Sequence, residues 1–228
     1  MGLILSIETA TPVCSVALHK DGNIIGKEDL FEDRSHSEKL AVMIKNLLDR
    51  CSKKPNDLSA LAISMGPGSY TGLRIGVSTA KGICYGLNIP LIGINSLEAL
   101  AWQVCQSNPY NYQLCPMFDA RRMEVYTLLA DHKLSIIEPT HSLVVDEESF
   151  NPHLMKSEIL FFGNGMDKCR NILETHKNAY FLENIHPTAS SVGDLAYKKY
   201  KNQDFVNTNS FEPFYLKDFI ATIPRKLI

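Results

Sequence analysis

The stretch Ser64-Met65-Gly66-Pro67-Gly68-Ser69-Tyr70-Thr71-Gly72-Leu73-Arg74-Ile75-Gly76-Val77, continued by Ala80-Lys81-Gly82, carries the architecture of this chain. Leu58 to Ser64 is an apolar run of buried-strand length. Gly66-Pro67-Gly68 ends it as a loop, since proline fixes φ and glycine frees it. From about Thr71 to Leu87, the residues Leu73, Val77, Ala80, Cys84 and Leu87 recur at helical spacing. The stretch therefore reads as strand, tight loop, helix. Downstream, Pro90 to Ile94 is another strand, and Asn95 with Glu98 opens a helix through Trp102 to about Gln106. Upstream, Leu3 to Ile7, Cys14 to His19 and Asn23 to Leu30 form a three-stranded meander, with Asp21-Gly22 as the hairpin turn. Between meander and stretch, Ser35 and Glu38 form a capping-box pattern. Leu40, Met43, Ile44, Leu47, Leu48 and Cys51 then share one helical face, and Pro55 closes the region. The order β-β-β-α-β-α-β-α predicts an α/β fold.

Beyond Ser107-Asn108-Pro109 the texture changes, which places a domain boundary at residues 107–113. The expected division is an N-terminal lobe of residues 1–107 and a C-terminal lobe of residues 108–228 with an irregular tail. Leu114 to Asp119 and Glu124 to Ala130 read as strands around Ala120-Arg121-Arg122. Glu158 to Phe162 is a short strand ending in Gly163-Asn164-Gly165, and Ala189 to Lys201 is an amphipathic helix. The sequence shows no internal repeat, and residues 202–228 are too weakly patterned to assign.

A formal net charge of -2 argues against a dedicated nucleic-acid binder, which would carry a basic excess. Charged residues such as Lys20, Arg50 and Lys81 interrupt every apolar run, so no membrane span is expected. The absence of a signal-peptide pattern at the start, together with cysteines that show no paired spacing, predicts a cytoplasmic protein with reduced thiols. Among the histidines there is no pair at i,i+4 and no HxH, so no metal site is expected. A Gly-x-Ser-x-Gly nucleophile motif is also missing.

The helix beginning near Thr71 is the most informative feature. Opposite its apolar face lie Ile75, Ser78, Thr79, Gly82 and Gly86, without charge and almost without bulk. A surface helix normally carries Lys and Glu there. Each interior glycine costs about 0.5–1 kcal/mol relative to alanine, and close approach of another helix would offset that cost. The approaching helix could belong to this chain or to a partner. On the first helix, His36 lies near the apolar face, and Val42 sits alone on the polar side as a rim residue.

Three stretches resemble one family. They are Ile7-Glu8-Thr9 with Ser15-Val16-Ala17-Leu18, the long run from Ser64 to Gly82, and Gly93-Ile94-Asn95-Ser96-Leu97-Glu98-Ala99-Leu100. Asp119-Ala120-Arg121-Arg122-Met123-Glu124-Val125-Tyr126 adds to them. Together they are similar to the TsaB (YeaZ) family, companions of TsaD in making threonylcarbamoyladenosine on tRNA. The resemblance covers residues 1–130 well and is thin beyond. It implies an actin/hexokinase-like ATPase (ribonuclease-H-like) fold of two related lobes, with mixed sheets flanked by helices.

The resemblance also implies a non-catalytic subunit supporting a TsaD-like enzyme as a heterodimer. A TsaE-like ATPase is a further expected partner, and a homodimer is expected when the chain is alone. Tipped by this kinship, Ile75, Ser78, Thr79, Gly82, Gly86, His36 and Val42 are read as partner interface. TsaD relatives carry two histidines where this chain has Ser96 and Leu100, neither of which suits a metal. No cofactor is therefore expected. The alternative is an ATPase or phosphotransferase, or a metallopeptidase, of the same fold. In such a fold Glu8, Thr9, Gly66 and Gly68 mark the candidate nucleotide loop. Pro12 removes one N–H that could cradle phosphate, and a tight turn set by packing is the other reading. Arg121-Arg122 reads as a solvated turn, with tRNA phosphate contact as the alternative, so any tRNA contact is expected to be indirect or weak.

Overall fold

The computed structural model describes residues 2–32 and 36–217. Ser35, the expected cap of the first helix, lies outside them, as does the tail beyond Lys217. The first five strands are β1 (Leu3–Glu8), β2 (Cys14–Lys20), β3 (Asn23–Leu30), β4 (Ala60–Gly66) and β5 (Leu91–Asn95). They form one sheet in the order β3-β2-β1-β4-β5. β1, β2 and β3 pair antiparallel, whereas β4 and β5 run parallel to β1. Asp21 and Gly22 both take positive φ at the β2–β3 turn, as a two-residue hairpin loop requires.

The second sheet contains β6 (Gln113–Asp119), β7 (Glu124–Ala130), β8 (Ile136–Val144), β9 (Ile159–Phe162) and β10 (Ala179–Leu182) in the order β10-β9-β6-β7-β8. Its first three strands again form an antiparallel meander, and β9 and β10 again run parallel to the first of them. The two sheets thus share one topology, although no repeat is visible in the sequence. Two strands were not assigned from sequence, β8 and β10. Both are edge strands; β8 contains Pro139, which breaks its alternation, and β10 is only four residues long.

The helices are α1 (His36–Arg50), α2 (Tyr70–Leu87), α3 (Ser96–Cys105), the short α4 (Asn151–Leu154) and α5 (Arg170–Leu173), and α6 (Ala189–Lys201). The Asn95 cap read from sequence is in place, and Ser69, not assigned from sequence, caps α2 in the same way. Ser69 Oγ accepts the Gly72 N–H, and Asn95 Oδ1 accepts those of Leu97 and Glu98. α1 and α2 cover one face of the first sheet, burying Leu40, Leu47, Val77 and Cys84 against Leu5, Ile7, Leu61 and Ile63. α4 and α5 cover the outer face of the second sheet through Leu154 and Leu173.

The central helices depart from a simple division at residues 107–113. α3 packs onto the second sheet, where Leu97, Leu100 and Val104 meet Leu114, Phe118 and Phe162. α6, far along the C-terminal half, packs onto the first sheet, where Val192 and Ala196 meet Ile4, Ala62, Ile92 and Ile94. Gly193 allows this approach, since a Cβ there would lie 2.1 Å from the His19 ring. The lobes are therefore interlocked through one helix each.

The segment after α6 is also tied down as far as Lys217. Val206 forms a bridge with Leu91. Lys81 Nζ donates to the carbonyls of Asn209 and Phe211, at 3.1 and 2.9 Å. The Phe214 N–H donates to Met65 O, and Lys217 pairs with Glu124 on the second sheet. This run fastens the flank of α2 to both lobes.

Candidate functional site

Three places answer to the residues singled out from sequence: the turn between β4 and α2, the start of α3, and the outer face of α2. At the first, Glu8 and Thr9 end β1 in a packed interior, both fully buried. Gly72 and Gly76 of α2 sit directly on Thr9. A Cβ at Gly72 would lie 2.1 Å from Thr9 O, and one at Gly76 would lie 2.2 Å from Thr9 Oγ1. Gly68 is pressed against Ala10 in the same way, and Gly66 takes φ +117° beside the Phe214 carbonyl. The Gly66 N–H is held by Ser96 Oγ at 3.0 Å, and the Ser69 N–H by Ala10 O at 2.7 Å. These glycines serve close packing, and two of the amides that could cradle a phosphate are engaged. At the candidate nucleotide loop of Glu8, Thr9, Gly66 and Gly68 this geometry supports the tight turn set by packing over a phosphate cradle.

Glu8 itself is unusual. Its Oε1 accepts the Ala10 N–H at 2.5 Å, while Oε2 has no hydrogen-bond partner among the described residues. Burial pushes its carboxyl up to about 7, against the opposing help of Ser64 and the Ala10 and Thr9 amides. The Ser64 hydroxyl also meets Ser96 Oγ at 2.6 Å. A small cleft of about 210 Å³ is lined by Thr11, Pro12, Val13, Phe31, Asn164, His186 and Pro187. The exposed surface of its lining is mostly apolar, and Glu8 is not part of it.

At the start of α3, Ser96 is fully buried in the bond to Ser64, and Leu100 is fully buried in the apolar core between α3 and the second sheet. Among the described residues no group of three or more His, Cys, Asp or Glu side chains could hold a metal ion. No described helix is long and apolar enough to cross a membrane.

The outer face of α2 is different. Ser78, Gly82 and Gly86 are exposed, and a Cβ added at either glycine would meet nothing within 4 Å. Among the described residues no other helix covers that stripe. Ile75 and Thr79 are half-buried at its border, and Ile75 packs against the core of the first lobe. Tyr85, 82% exposed, belongs to the stripe and was missed from sequence; its spacing of three from Gly82 would have placed it there. The flanks are closed by this chain's own contacts. Arg74 lies over the Tyr70 ring at 4.1 Å and donates to Tyr215 Oη at 3.1 Å, and Lys81 holds the segment after α6.

Val42 on α1 is 52% exposed, as a rim residue would be. His36 is not a surface residue. It is 7% exposed, with Nε2 3.0 Å from Thr11 O, so it braces the β1–β2 loop and is withdrawn from the interface reading.

The model of the family described as "TsaD: tRNA N6-adenosine threonylcarbamoyltransferase" matches residues 31–225. The chain belongs to the TsaD family. Several of its curated relatives carry the name TsaB. The Bacillus subtilis protein named "tRNA threonylcarbamoyladenosine biosynthesis protein TsaB" is 36% identical over 135 residues, 59% of this chain and 58% of the relative. With that relative the chain therefore aligns over little more than half its length. The Haemophilus influenzae protein of the same name is 27% identical over 227 residues, 96% of this chain and 94% of the relative. Among solved structures, YeaZ from Pseudomonas aeruginosa superposes with a TM-score of 0.83 at 23% identity, covering 95% of this chain and all of that one. That likeness shows the fold, the two-lobed actin/hexokinase-like one expected for TsaD and TsaB (YeaZ) proteins.

Proposed function

We propose that this chain is an accessory subunit in the threonylcarbamoyladenosine modification of tRNA, docking through the outer face of α2 onto a TsaD-like catalytic subunit. The observation that carries the reading is the uncovered stripe of Ser78, Gly82, Tyr85 and Gly86. Small residues let two helix axes approach toward the lower end of the usual range of about 8–10 Å. An exposed tyrosine beside them supplies the kind of aromatic anchor common in interfaces. The accessory role is supported by Ser96 and Leu100, which stand where the TsaD relatives carry a histidine pair. Both are integrated into hydrogen bonding and core packing.

Gly82→Arg tests the surface. The added side chain enters open solvent in the free subunit, so folding survives. In a complex it separates the helices or leaves a charge facing a desolvated surface, which is costly. Size-exclusion chromatography with the TsaD-like subunit should show loss of the complex, and circular dichroism should show an unchanged fold. Self-association, where present, should fall with it. Wild-type binding by a folded Gly82→Arg protein would place the interface elsewhere.

A further inference from the structure

We propose that the tip of the β6–β7 hairpin is an anchor for RNA phosphates, with Arg121 and Arg122 as the binding groups. Both arginines are exposed, and neither guanidinium forms an ion pair or hydrogen bond among the described residues. Two carboxylates lie at the same tip, and each is already neutralised: Asp119 by Lys168, and Glu124 by Lys217. The tip therefore holds two uncompensated positive charges on a chain whose formal net charge is -2.

The turn that presents them is held by hydrogen bonds. Asp119 Oδ1 accepts the Arg121 N–H at 2.9 Å, and Lys168 Nζ donates to Glu124 O at 2.6 Å. Asn164 Oδ1 accepts the Asp119 N–H at 3.2 Å, and Gly165 is pressed against the Phe118–Asp119 backbone. Arg121 and Arg122 both take positive φ, 70° and 50°, a region in which asparagine or glycine is far cheaper than arginine. Folding alone gives no reason for two arginines here. A requirement for two fixed guanidiniums does, because a preorganised fork loses less freedom on meeting a phosphate.

Neither arginine lines a described cleft, so the tip does not enclose a small anion. A polyanion presenting neighbouring phosphates fits it, and such contacts position a nucleic acid without reading its sequence. This inference rests on the proposed role in tRNA modification, which supplies the RNA, and it makes the tRNA contact direct.

The test is fluorescence anisotropy of an unmodified tRNA transcript with the assembled complex of this chain and its TsaD-like partner. Losing two phosphate contacts lowers the slope of log K against log salt by about 1.4, and weakens binding about 25-fold at about 0.1 M salt. Arg121→Gln/Arg122→Gln should show that loss. Arg121→Asn/Arg122→Gly should show the same loss while melting no lower than wild type, since the new residues relieve the backbone. Arg121→Lys/Arg122→Lys should keep most of the salt slope. Size-exclusion chromatography should find every variant still in the complex, which separates this inference from the docking proposal. Wild-type affinity and slope in the first two variants would overturn the phosphate anchor and leave the docking proposal standing. Loss of assembly in those variants would also overturn it, by making the tip a protein contact. ATP and inorganic phosphate are the competing probes. Displacement of tRNA by either at micromolar concentration would show a site for a free phosphate compound and overturn the RNA assignment.

Discussion

Replacing Glu8 by glutamine should stabilise the protein at neutral pH and do nothing at acid pH. In the folded chain the Glu8 carboxyl is fully buried, and desolvation raises its pKa from the ordinary 4.5 to about 7. Because the folded value lies above the unfolded one, the folded state holds the proton more tightly. Below about pH 4 both states are protonated and Glu8 adds no pH dependence. Between about pH 4.5 and 7 only the folded state keeps the proton, so stability falls as pH rises. At about 1.36 kcal/mol per pH unit, the loss is about 3 kcal/mol once the pH exceeds the folded value. In a chain of this length that is about 6–12 °C in Tm. Glutamine keeps an oxygen to accept the Ala10 N–H and carries no charge to bury. The assay is thermal unfolding of wild type and Glu8→Gln from about pH 4 to pH 8.5. Other carboxyl groups titrate in both proteins, so the difference isolates Glu8. It should be near zero at about pH 4 and reach about 3 kcal/mol in favour of glutamine by about pH 8. A difference that stays flat with pH, or a glutamine protein less stable at pH 8, would refute the reasoning.

The remaining predictions concern packing. Gly76→Ala should cost about 1–3 kcal/mol, because its Cβ would lie 2.2 Å from Thr9 Oγ1 in a closed interior. Gly82→Ala, on the same helix but open to solvent, should instead gain about 0.5–1 kcal/mol; chemical denaturation of the two variants gives both signs in one experiment. Leu100→Ala should cost about 2–5 kcal/mol, as expected for a leucine buried between α3 and the second sheet, and urea unfolding of the isolated chain reads it.

The sequence made the strand–loop–helix core readable because local chemistry fixes it. Ser69 and Asn95 cap their helices with their own side chains, and Asp21-Gly22 can supply the positive φ its hairpin needs. The bare face of α2 was legible for the same reason, since residue spacing alone sets a helix face. What escaped reading depends on distant neighbours. His36 has the spacing of a border residue, yet its hydrogen bond to Thr11 draws it inside. α6 has an ordinary amphipathic pattern, and nothing in that pattern names the sheet it covers. The segment after α6 is held chiefly by Lys81 bonding to backbone carbonyls, which leaves no side-chain periodicity to detect. Gly66 and Gly68 could belong to a phosphate loop on sequence alone, and Gly72 and Gly76 follow them on the helix. Only the atoms facing them, Thr9, Ala10 and Phe214, show that they serve close packing.

The central claim is that this chain supports a catalytic partner and does not itself transfer the threonylcarbamoyl group. The direct measurement is modification of unmodified tRNA supplied with threonylcarbamoyl-adenylate, using this chain alone, its TsaD-like partner alone, and the two together. The account predicts no modified adenosine with this chain alone and abundant product with the pair, falling to the partner-alone level when Gly82→Arg replaces the wild type. Robust modification by this chain alone, or a partner whose output is unchanged by its presence, would contradict it.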